Sequence, residues 1–139
     1  MTVPMEYRQA SRDFDAFLIE VRDGAMLQTT NQTYTMIDAV FTIFRSRLSI
    51  RDALAFADVL PPVLRALFVS NWDVDQPLRP FEDRAVLTRE VKAFRGNHNV
   101  SPDDSISVVA SVLRRHVGEA AFERVLAKLP AEAADFWRA

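Results

Sequence analysis

Seven cationic or titratable side chains fall in two groups along the chain, Arg45, Arg47 and Arg51 in one and Arg114, Arg115, His116 and Arg124 in the other. Guanidinium groups placed close together can hold a carboxylate or a phosphate through charge-assisted hydrogen bonds. The same residues need no ligand if they only set positive charge at helix C-termini and lay their stems on apolar surface. The sequence leaves both readings open.

Other chemistry is poorly served. Asp73-Val74-Asp75 begins like a calcium loop, but Leu78 stands where the tight turn needs glycine and Arg84 where the bidentate glutamate belongs. His98 and His116, the two histidines, lie 18 residues apart and match no helical metal pair. Gly24, Gly96 and Gly118 are too dispersed to cradle a phosphate, and no serine is flanked by glycines or followed three positions on by lysine. Cysteine is absent, which removes thiolate ligands and thiol nucleophiles. Asp13 with Asp15 and Asp103 with Asp104 sit where helices begin, and the helix dipole accounts for them. No catalytic residue, metal or cofactor is expected.

The residues left as candidate contacts with a partner or ligand are Trp72, Asp73, Arg45, Arg114 and Arg115. Tryptophan is enriched among binding hot spots, so Trp72 either folds back over an edge of the core or meets a partner. Trp137 is expected in the core.

These side chains must be positioned by helices. Phe14, Phe17, Leu18 and Val21 recur at helical spacing from about Asp13 to Ala25. The polar stretch 28–33 supplies caps before a longer stripe of Tyr34, Ile37, Val40, Phe41, Phe44 and Leu48. Ser49 with Asp52 carries a start signature, as does Ser101-Pro102-Asp103-Asp104, with proline at the first helical position. Leu60-Pro61-Pro62 and Leu129-Pro130 each open a short helix. Periodicity vanishes between Ser70 and Pro80 and resumes with Leu87, Val91 and Phe94.

The two halves read alike. Leu60-Pro61 and Leu129-Pro130 are 69 residues apart, and that offset pairs Ile37 with Ile106, Phe44 with Leu113, Arg45 with Arg114 and Phe68 with Trp137. An offset of 70 pairs Phe17 with Leu87, Glu20 with Glu90 and Val21 with Val91. A one-residue change in a loop reconciles them. The expectation is an all-α compact bundle of about eight helices, made of two pseudo-repeated four-helix units that share one core. Residues 1–139 form a single domain, with repeats at about 13–69 and 83–138 and a connector at 70–82.

The series Leu60-Pro61, Leu64-Arg65, Leu67-Phe68 and Trp72-Asp73, with Gly118-Glu119 ahead of the second Leu-Pro, resembles the bacterial domain of unknown function 2267 family. The resemblance runs from about Phe14 to Trp137. It implies an all-helical, duplicated fold in a bacterial cytoplasm, and it brings no activity, substrate or functional residue. Val74, Asp75, Gln76 and Pro77 depart from the glycine-rich or strongly charged segment that follows the tryptophan in typical members.

With 49% hydrophobic and 26% charged residues the composition is that of a globular protein. A net charge of -2 offers no general attraction for nucleic acid, so none is expected as a partner. Residues 1–6 lack the basic and apolar runs of a signal peptide, and no apolar stretch approaches a membrane span. A cytoplasmic location and no membrane contact are expected. The function is read as a non-enzymatic protein-interaction or regulatory module, with a protein partner or a homodimer. The alternative is a sensor of a small anionic ligand seated between helices, and an enzyme without a local motif stands third.

Overall fold

The polar stretch ahead of the long apolar stripe starts its helix by reciprocal capping. In the computed structural model, which describes all 139 residues, Thr29 Oγ1 accepts the Gln32 N–H at 3.1 Å and Gln32 Oε1 accepts the Thr29 N–H at 3.3 Å. Two otherwise orphaned donors are thereby satisfied. Ser49 Oγ accepts the Asp52 N–H at 3.1 Å and starts the next helix in the same way.

The chain forms nine α-helices and no strand: α1 (Met5–Arg8), α2 (Ala10–Gly24), α3 (Thr30–Arg45), α4 (Ile50–Asp58), α5 (Pro62–Val69), α6 (Arg84–Ala93), α7 (Ser105–Val117), α8 (Glu119–Leu126) and α9 (Ala131–Phe136). A 3-10 turn at Gly96–His98 precedes α7. The all-α expectation holds. The helix beyond the expected eight is α1, a single turn without buried residues, which leaves no apolar periodicity to read.

Two local expectations need correction. The helix expected from Asp13 begins at Ala10, because polar residues of its first turn carry no stripe. The expected cap at Ser101 does not form: Ser101 and its N–H both bond to Asn99 Oδ1, Pro102 lies in a turn, and α7 starts at Ser105. At the end of α2 the left-handed position is taken by Met26, at φ 57°, and not by Gly24. Gly24 instead lets α2 approach α7, since a Cβ there would lie 3.0 Å from Val108 Cγ1.

The core is one cluster of 33 buried apolar residues drawn from α2 through the end of the chain. Helix α3 packs against α2, α5, α6 and α7. At the centre Phe44 lies 4.8 Å from Phe136 and 5.1 Å from Trp137, ring centre to ring centre, and Phe56 stacks on Trp137 at 5.4 Å. Such offset and edge-on aromatic pairs add to the burial of their area. No helix is long and apolar enough to cross a membrane.

Two buried polar atoms have no partner, Trp137 Nε1 and Ser105 Oγ. An unpaired buried hydroxyl costs its desolvation and returns nothing. Ser105→Ala is therefore expected to stabilise the protein by about 1 kcal/mol, seen as a higher urea midpoint at unchanged slope. A lower midpoint would mean that the hydroxyl is bonded after all.

A connector groove as candidate functional site

The irregular segment between α5 and α6 is fastened at both ends by arginines from the C-terminal end of α3. Arg45, the last residue of that helix, is 7% exposed. Its Nη1 donates to the Phe68 carbonyl at 2.8 Å and to the Ser70 carbonyl at 3.1 Å, and its guanidinium lies 5.3 Å from the centre of the Trp72 ring. Those contacts hold the near end of the connector.

Arg47 holds the far end. Its side chain is fully buried, with Nε donating to the Pro80 carbonyl at 3.2 Å and Nη2 paired to Glu90 Oε2 at 2.6 Å. Glu90 also accepts Arg79 at 2.7 Å, and the Arg79 N–H reaches the Ser46 carbonyl at 3.1 Å. Burial pushes the Glu90 carboxyl up, but the hydrogen bonds and charges of Arg47 and Arg79 together hold it below the ordinary value of 4.5.

Between these fastenings the chain stands off α3 and α4 and leaves an open groove of about 300 Å³. Arg45 and Trp72 form part of its wall, and Ile50, Asp73, Val74 and Leu78 line it further out. Ile50, Val74 and Leu78 are 48%, 52% and 63% exposed, so three large apolar side chains face solvent around one opening. Asn71, in the left-handed region at φ 55°, turns the chain immediately before Trp72. Asparagine tolerates that conformation better than most residues.

Arg45 and Arg47 both lie in the core-facing shell, but their electrostatics differ. Arg47 has a carboxylate. Arg45 has none within ion-pair distance, and burial, opposed by the field of Asp38, draws its guanidinium down from the ordinary arginine value. Asp38 is itself pushed up by burial, against the Thr42 hydroxyl and the charges of Arg45 and Arg95. Nε and Nη2 of Arg45 bond to nothing in the chain, and neither is sealed from solvent. The groove is the opening that Arg45 lines.

Of the five candidate contacts, the structure brings Arg45, Trp72 and Asp73 together around this groove and leaves Arg114 and Arg115 elsewhere. Trp72 is half-buried, packs on the core edge and lines the groove. Arg114 donates to the Trp137 carbonyl at 3.0 Å, pairs with Glu119 at 3.1 Å and Glu123 at 2.5 Å, and covers the Phe122 ring. Arg115 pairs with Glu20 at 3.1 Å.

His116 Nε2 lies 2.5 Å from Glu20 Oε2, with the ring edge-on to Phe17. The His116 hydrogen bond, set against burial and helped by Arg115, holds the Glu20 carboxyl below 4.5. The basic residues therefore form no single cluster, and the picture of solvated arginines at helix ends fails for Arg45 and Arg47, which are buried. Carbonyl and carboxylate partners far along the chain make that burial tolerable, and no local pattern announces them. The groove's apolar rim was also missed. Its signal was Val74 and Leu78 in a segment without periodicity, where a large apolar residue has no helix face to join.

The structure is thus an all-helical scaffold bearing a groove with an apolar rim and a buried cation in its wall. The chain belongs to the family described as uncharacterized conserved protein (DUF2267), whose model matches residues 14–136. A search of the curated proteins finds no match.

Proposed function

We propose that the protein is a non-enzymatic interaction or regulatory module of the bacterial cytoplasm and that the connector groove is the face that meets a partner protein. The observation that carries this reading is the set Ile50, Val74 and Leu78, each about half exposed or more, ringing one groove with Trp72 in its wall. Apolar side chains gathered at one exposed place mark interaction surfaces more often than singly scattered ones do. Leu54, 50% exposed one turn after Ile50 on α4, extends the same face.

We further read the fold as two pseudo-repeated four-helix units, α2–α5 and α6–α9, within a single domain. Contacts at matching positions, within the units and between them, support it. Arg45 donates to the Phe68 carbonyl and Arg114 to the Trp137 carbonyl, and both the donors and the acceptors are partners at the 69-residue offset. Glu20 binds His116 while Glu90 binds Arg47, where Glu20 corresponds to Glu90 and Arg47 to His116. Each unit thus grips the other through the same pair of positions, as the two sides of an isologous interface do. The groove lies in the connector after the first unit, so we read the duplication as the scaffold and the connector as the functional element.

The test is retention of protein partners from a bacterial lysate by the native chain and by Leu78→Asp, with mass measured by light scattering. Leu78 is 63% exposed, so the substitution is expected to leave the folding stability within about 0.5 kcal/mol of native. Partners or self-association present for the native chain and lost for Leu78→Asp support the reading. A strict monomer that retains nothing, or retention indifferent to Leu78→Asp, would sink it.

The alternative, a sensor of a small anionic ligand, is favoured by Arg45, a buried guanidinium without a carboxylate that lines the groove.

A further inference from the structure

We infer that the partner of this groove is a peptide segment that pairs apolar side chains with a carboxylate, and that Arg45 receives the carboxylate. The inference rests on the reading of the groove as the partner-binding face. Three observations converge on it. Arg45 is 7% exposed and lines the groove, and it bonds within the chain through Nη1 alone, so Nε and Nη2 remain as donors in a partly desolvated wall. Hydrogen bonds between such donors and a charged acceptor are stronger than neutral ones.

The guanidinium is also held in place before anything binds. Its Nη1 is fixed by the Phe68 and Ser70 carbonyls and its face by the Trp72 ring. Little rotamer freedom remains to be lost on binding, which is the usual cost of using a long cationic side chain. Arg47, two residues on, shows the contrast: its charge is already answered by Glu90 and carries no vacancy.

The rim selects the rest of the ligand. Ile50, Val74 and Leu78 line the groove with large exposed apolar side chains, which a ligand carrying apolar groups can cover and a bare inorganic ion cannot. The one carboxylate on the wall, Asp73, is exposed and accepts the Asp75 N–H at 3.0 Å. Arg79, the other cation of the lining, is paired with Glu90, so Arg45 is the lining cation that no carboxylate answers. An apolar and acidic segment is complementary to that wall, and a basic one is not.

The test is selection of linear peptides from a random displayed library on the immobilised full chain, followed by titration of one synthetic selected peptide. The enriched sequences are expected to combine apolar residues with Asp or Glu. Replacing that acid by its amide in the peptide should weaken binding tenfold or more, the usual scale for a hydrogen bond to a charged group. Arg45→Gln should lose the distinction between acid and amide, and Arg45→Lys should keep part of it.

Arg45→Gln also frees two carbonyls and could unfold, so the amide peptide on the native chain carries the decision independently. Enriched peptides without an acid, or indifferent to the amide, overturn the Arg45 assignment and leave the groove reading standing. Binding unaffected by Leu78→Asp overturns the groove reading as well. Acetate or inorganic phosphate raising the melting temperature while no peptide is enriched assigns the site to a small ion and overturns the inference.

Discussion

A chain cut after Asn71 is expected to be unfolded or aggregated, although it would keep α1 to α5 and the caps at Thr29 and Ser49. Cutting there removes Phe122, Phe136 and Trp137 from around Phe44 and Phe56, which they contact at ring separations of 4.8 to 5.8 Å. It also uncovers the faces of α2 and α3 that pack on α7 and α6. Each buried phenylalanine returned to water forfeits about 1.5–3 kcal/mol. Three such losses, about 4.5–9 kcal/mol, already reach into the range of stability of an ordinary domain, about 5–15 kcal/mol.

Charge pairing fails at the same cut. Arg47, with a fully buried side chain, loses both Glu90 and the Pro80 carbonyl, and Glu20 loses Arg115 and His116. Circular dichroism through a urea titration should show no cooperative transition for residues 1–71, against a single sharp one for the full chain. A sharp transition in the fragment would mean that each half holds its own core.

How much of this was legible depends on the range over which each feature is decided. Helices α2 to α9 follow from apolar spacing, and the starts of α3 and α4 from side chains that bond within three residues. Ser101 carried the same signature as Ser49 and failed, because Asn99 competes for it from the other side. Short polar residues offer the backbone local bonds of either kind, and only the surrounding structure chooses between them. Met26 in the left-handed region leaves no sequence signal of the sort glycine gives, and its exposed side chain meets no clash there.

The groove was legible only in part. Trp72 and Asp73 stood out by type, and Arg45 by its match with Arg114. That Arg45 is buried while Arg114 lies beside two glutamates is settled by what each meets 5 to 25 residues later, Ser70 for one and Glu119 for the other. Arg45 and Arg114, which match at the 69-residue offset, each bond a carbonyl at matching positions, and the residues around them give them different surroundings. Ile50 and Leu78 gained meaning only once the end of α3, the start of α4 and the connector were seen to face one another.

The pair that fixes the far end of the connector gives the second large effect. Glu90→Gln is expected to cost about 3 kcal/mol at neutral pH, the lower part of the range for breaking a buried ion pair, because it strands a guanidinium that has no access to water. Arg79, 52% exposed, contributes little to that loss. The pH dependence has a definite sign. Glu90 is held below 4.5 in the folded chain, so its contribution is complete above 4.5 and is lost as the pH falls through the lower folded value.

The stability gap between the native chain and Glu90→Gln should therefore close on acidification, since a protonated Glu90 resembles glutamine. Urea titrations at pH 7 and pH 3 measure it. An equal gap at both, or none at pH 7, would show that the pair is not what holds Arg47. Replacing both residues, as Arg47→Met with Glu90→Met, should recover only part of the loss, because the Pro80 and Ile43 carbonyls that Arg47 also bonds stay without a donor. The double variant bears on function as well: without Arg47 the Pro80 carbonyl is released, the connector loses a far fastening, and the apolar rim of Val74 and Leu78 loses its fixed distance from Arg45. Partner binding should then weaken in Arg47→Met with Glu90→Met by more than its lowered stability alone explains, since the connector is held to the end of α3 through that bond.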